Sequence, residues 1–142
     1  MGPRLDAELS GAGTVAGGFD REGCLRDWFA EHAPGSPVYG WATELLVHLA
    51  DEEPEVAWDL IQGLIERAPA DEALGWVAAG PLEDLLCHNG PAWIGRVEAL
   101  ARSDPRFKAC LAGVPGSGRM DPDVYERVRL AVAGGRPATE SP

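Results

Sequence analysis

Glu83, Asp84, Cys87 and His88 fall together in "GPLEDLLCHNG", residues 80–90. Carboxylates beside a thiol and an imidazole could supply acid–base groups, a nucleophile or metal ligands. Their spacing argues against most of this chemistry. Adjacent helical residues such as Cys87 and His88 point about 100° apart, so they cannot form a nucleophile–base pair with each other, and Cys87 reads as a small core residue. Asp84 and His88, like Glu44 and His48, are four residues apart on one helix face. Such pairs are usually surface ion pairs worth roughly 0.2–0.5 kcal/mol. No CxxC or HExxH spacing occurs, so no metal site is expected. "GVPGSGRM", residues 113–120, lacks the Lys-Ser/Thr ending of a phosphate loop. It reads as a flexible inter-helix loop able to meet a partner, and no cofactor is expected. One site remains as an expectation, a pocket in which Glu83, Asp84, His88, Arg96 and Glu98 converge with shifted pKa values.

The charge points elsewhere. Residues 1–89 hold four Arg against seventeen acids, and residues 90–142 hold eight basic residues against six acids, for a net charge of −11. An acidic half repels phosphate, so nucleic acid is not an expected partner, whereas a basic protein surface is. The densest acids are Asp51, Glu52, Glu53 and Glu55, with Asp59 and Glu66 further along. They read as a solvated turn or a contact surface. Three widely spaced cysteines, Cys24, Cys87 and Cys110, suit reduced thiols in a cytoplasmic protein. No apolar run approaches a membrane span, and the N-terminus lacks a signal-peptide pattern. Eleven of the twelve basic residues are Arg. With abundant Ala and Gly, that bias is associated with GC-rich bacterial genomes.

The elements that must position these residues are marked by prolines. Pro37, Pro54, Pro81, Pro91, Pro105 and Pro122 each precede a helix-like stretch. Proline suits a first turn, where its missing N–H would be unpaired anyway. Ser36, Glu53, Gly80, Gly90, Asp104 and Asp121 precede them as expected caps. Glu83 and Asp84 then fall in a first turn, facing the positive end of the helix dipole, and Asn89-Gly90 supplies a stop. A seventh helix is predicted from Asp20 over about residues 20–32. In residues 54–68 the apolar positions cover an arc of about 200°, which predicts a central helix. No period-2 run appears. Trp41, Trp58, Trp76 and Trp93 recur at 17 or 18 residues, a spacing that would suit stacked αα-hairpins. The predicted fold is all-α, six or seven short helices in antiparallel hairpins, with a HEAT-like array as one form. Residues 1–18 are expected to be a flexible leader, 19–133 a single helical domain and 134–142 a tail.

Gly80 to Leu86, then Ile94, Arg96, Val97 and Glu98, then Asp104, Pro105 and Phe107 carry a family resemblance. Over roughly residues 54–130 the chain resembles a bacterial family of uncharacterised small domains with a Gly-Pro-Leu-Glu-Asp-Leu-Leu core and an Asp-Pro-x-Phe segment. That resemblance implies no activity. Pro115 stands where the family pattern has a Trp.

The leading functional expectation is a non-enzymatic protein-binding module of the bacterial cytosol, with an immunity- or antitoxin-like protein as a concrete case. The alternatives are a small enzyme or ligand-binding domain centred on Glu83, Asp84 and His88, and an assembly or scaffold subunit with an exposed apolar patch.

Overall fold

The computed structural model describes residues 19–35, 40–116 and 118–134. Seven α-helices and one π-helical turn account for most of these, with no strand among them. In chain order they are α1 (Arg21–His32), α2 (Trp41–Glu52), α3 (Pro54–Arg67), α4 (Asp71–Val77), the π-turn (Ala78–Leu82), α5 (Glu83–Ser103), α6 (Pro105–Leu111) and α7 (Pro122–Ala133). The all-α expectation is met. The expected leader, and the tail beyond Gly134, lie outside the described residues, as do Ser36 and Pro37.

Several helix starts follow the local rules. Asp20 caps α1 by accepting from the Gly23 N–H at 3.0 Å. Asp104 caps α6 by accepting from the Arg106 and Phe107 N–H groups, and Asp121 caps α7 from the Asp123 N–H. Pro54, Pro105 and Pro122 each occupy the opening turn. By contrast, α2 begins at Trp41 behind Gly40, which brings no capping side chain. Glu31 of α1 takes that role from outside the helix. Its carboxylate accepts from the Ala42 N–H at 3.1 Å, the Thr43 N–H at 2.8 Å and the Thr43 hydroxyl at 2.6 Å.

Two proline starts are corrected. Pro81 opens no helix and lies buried inside the π-turn, with αR backbone on both sides, at Val77 and Glu83. A mid-helix proline lacks a donor and clashes with the carbonyl four residues back. The turn relieves this by widening its register, and the Glu83 N–H reaches the Ala78 carbonyl, five residues back. Gly80 is therefore not a cap, and Glu83 and Asp84 do not face a free helix end. Pro91 also lies within α5, which is 21 residues long rather than short. The expected stop is a kink at Asn89 (φ −135°, ψ 23°), one residue before the predicted cap. Helix α4, between α3 and the π-turn, has no opening proline and escaped the proline rule.

The core forms around α3, as its broad apolar arc predicts. Ala57, Leu60, Ile61 and Leu64 are fully buried there, and α3 touches α1, α2, α4, α5 and α6. Leu82, Leu85 and Leu86 enter the same core from the π-turn and α5. Gly63 brings α1 close, since a Cβ there would stand 3.0 Å from Leu25 Cδ1. Each of α1 to α5 carries one Trp, but in different surroundings. Trp58 meets Trp93 with ring centroids 5.6 Å apart and Phe107 at 5.7 Å, whereas the Trp41 indole donates to Asp27 at 2.8 Å.

Candidate functional site

The residues of the predicted pocket are dealt to four different partners. Asp84, on the first turn of α5, accepts from Arg119 at 2.8 Å. His88, one turn later, faces Asp51 of α2 across 3.7 Å. Arg96 forks onto both oxygens of Glu55 on α3, at 3.1 and 2.9 Å, and lies over the Trp93 ring at 4.1 Å. Glu98 accepts from Arg127 of α7 at 2.8 and 2.6 Å. Glu83 alone of the set is buried, at 6% exposure. The structure brings these residues together in one helix, α5, whose successive faces meet α2, α3, α7 and the loop before α7. They do not share a single cleft. Neither i,i+4 acid–His pair forms among the described residues; Asp84 and His88 are paired elsewhere, with Arg119 and Asp51.

The electrostatics follow these pairs. Hydrogen bonding to Arg96 holds the Glu55 carboxyl below the usual carboxylate range. The Arg119 guanidinium is pushed up first by Asp84 and then by Cys87. Burial pushes the Cys87 thiol up, against the opposing hydrogen bond from Arg119. Cys87 is half-buried rather than a full core residue. Cys24 and Cys110 are buried, and desolvation lifts both thiols to about 12. A thiol held in its neutral form is a poor nucleophile. No group of three His, Cys, Asp or Glu able to hold a metal occurs among the described residues.

Either side of Ser117, which lies outside the described residues, the Gly113–Met120 loop packs on the helices. Val114 and Met120 are buried. Gly116 lies against the Tyr125 ring, too close to admit a Cβ, and Arg119 ties the loop to Asp84. Sequence reading singled out neither Arg119 nor Arg127, and it gave Asn89 only as part of a helix stop. Their partners lie 29 to 39 positions away, beyond any local pattern.

The acidic surface divides in two. Glu55 and Asp59 stand on α3 and are already engaged, Glu55 by Arg96 and Asp59 by Arg21 at 2.8 Å. Glu44, Glu52, Glu53 and Glu66 have no ion-pair partner among the described residues. On α2 the exposed residues Glu44, Val47, His48 and Asp51 follow helical spacing, with Glu52 beside them. Val47, 49% exposed, is one of two large apolar side chains that stand out of the described surface, the other being Leu130.

A model of a family of unknown function, DUF6869, matches residues 30–135. The chain belongs to that family. No curated protein and no solved structure matches it. The DUF6869 match begins inside α1 and so covers α2 to α7. It leaves outside it Cys24, Leu25 and Trp28, which are buried in the same core. No helix among the described residues is long and apolar enough to cross a membrane.

Proposed function

We propose that this chain is a protein-binding module whose partner presents a basic surface to the outer face of α2. One observation carries the reading. Glu44 and Asp51 flank the half-exposed Val47 one turn away on either side, Glu52 lies next to Asp51, and Glu44 and Glu52 are uncompensated among the described residues. Carboxylates already forked by arginine have little charge left for a partner, whereas uncompensated ones attract and orient it. The epitope therefore moves from the α3 acids Glu55 and Asp59, already held by Arg96 and Arg21, toward α2, with Glu53 at its edge. Val47 provides an apolar contact inside the acidic rim, the usual layout of a small interface. An immunity- or antitoxin-like protein masking a basic toxin, in a bacterial cytosol, is the concrete case that this charge pattern supports.

The test is retrieval of the partner from the native host with tagged chain, at low and at high salt. The expected result is a basic protein whose retention weakens as salt rises. A stable partner whose retention ignores salt contradicts the proposal.

A further inference from the structure

Asn89 is the single asparagine of the chain, and Gly90 follows it. An asparagine before a glycine can close a ring on itself. The Gly90 amide nitrogen attacks Asn89 Cγ, the Cγ–Nδ2 bond breaks, and ammonia leaves with the proton that Gly90 gives up. Water then opens the cyclic imide at either of its carbonyls. One opening gives aspartate, and the other gives isoaspartate, whose main chain is one carbon longer. Proximity drives the first step, and glycine has no side chain to shield its nitrogen.

The fold holds the two reacting groups apart. The ring closes only when ψ of Asn89 turns the Gly90 nitrogen toward the Asn89 Cβ. At the observed ψ of 23° that nitrogen nearly eclipses the Asn89 backbone nitrogen instead. The leaving group is also occupied, since Nδ2 donates to the Ala50 carbonyl at 2.7 Å. Gly90 is buried under α7, and a Cβ there would stand 3.1 Å from each of the two Val124 methyl carbons. Close packing therefore calls for glycine at this position, and the same glycine makes Asn89 labile once the contact opens.

The products cannot rebuild what Asn89 holds. Ala50 is among the last residues of α2, whose carbonyls lack intrahelical partners. A carboxylate only accepts, so neither product donates to that carbonyl. Isoaspartate also lengthens the backbone at the bend of α5.

We propose that Asn89-Gly90 is a self-modification site gated by the fold. Local parting of α5 from α2 and α7 lets the ring close, and hydrolysis leaves an aspartate or isoaspartate that keeps the α2–α5 junction loosened. Water is the only co-reactant. The rate follows the population of the open junction, as for other reactions of locally opened states. The site does not depend on the protein-binding proposal.

The experiment holds the full chain in mildly alkaline buffer, with and without urea, and follows its proteolytic peptides by mass spectrometry. The expected result is the mass gain of replacing NH2 by OH, confined to the peptide that carries Asn89, with isoaspartate among the products. Gln62-Gly63 on α3 is the internal control, because glutamine must close a larger and slower ring. The folded chain should convert at least roughly tenfold more slowly than the chain in full urea. Val124→Ala, which withdraws the methyls over Gly90, should speed conversion several-fold in the folded chain. Urea below the unfolding transition should do the same without a substitution. The converted chain, separated by its added negative charge, should unfold at a lower urea concentration than the unconverted one. Equal rates with and without full urea overturn the gating, as does a rate that neither low urea nor folded Val124→Ala raises. Aspartate without isoaspartate overturns the ring closure, and an unshifted urea midpoint in the converted chain overturns the loosened junction.

Discussion

Asn89 ties the kink of α5 to the end of α2. Its side-chain amide donates to the Ala50 carbonyl at 2.7 Å and lies 3.4 Å from that of Asp51. The last carbonyls of a helix lack intrahelical partners, so the residue that breaks one helix completes another. Asn89→Ala should destabilise the chain by about 1–3 kcal/mol. Asn89→Asp should cost more, since it turns a carboxylate toward two carbonyl oxygens. Urea unfolding of the three proteins checks both, and equal midpoints would refute the tie.

Along residues 80–90, the buried leucines and the exposed His88 should separate sharply. Leu85 and Leu86 are fully buried, and truncation of either to Ala should cost about 2–5 kcal/mol. His88, exposed and 3.7 Å from Asp51, should cost less than about 0.5 kcal/mol when changed to Ala. Thermal unfolding of the three variants measures the gap.

The thiols should react in an order set by burial. Cys87 is half-buried, whereas Cys24 and Cys110 are fully buried. A disulfide reagent should modify Cys87 in the native chain, slowly at neutral pH because burial raises its pKa, and reach the other two only on unfolding. Two or more fast thiols in the folded protein would contradict this packing.

Alkaline pH should erode stability through the buried thiols. The Cys24 and Cys110 values rise in the fold from 9.0 to about 12. The folded state therefore holds protons that the unfolded chain releases. Stability is fully present below pH 9 and falls as pH climbs toward 12. Cys24→Ala should unfold with a shallower pH dependence over that interval. Parallel stability curves for the two proteins would refute the assignment.

Much of the fold was legible because some residues act locally. Asp20, Asp104 and Asp121 cap their own helices within three residues, and Pro54, Pro105 and Pro122 open theirs. The same rule misplaced Pro81, because core packing of Leu82, Leu85 and Leu86 keeps the chain helical through the proline, and a π-turn absorbs the conflict. It also missed the start of α2, whose cap, Glu31, comes from a different helix. The candidate site was less legible still. Asp84 could be paired with His88 by helical spacing, but only the folded chain brings Arg119 to it. Arg106, which donates to the Ile65 and Ala68 carbonyls at the end of α3, likewise had no signal in its own neighbourhood.

The division of labour among the acids is tested most directly by comparing partner retention in two charge variants. Glu44→Lys combined with Glu52→Lys alters the outer face of α2, while Asp84→Asn alters the tie from α5 to Arg119. The account expects the first variant to remain folded and lose the retained host protein, and the second to keep it. Retention by the α2 variant together with loss in Asp84→Asn would place the binding surface at the α5 segment and contradict the account.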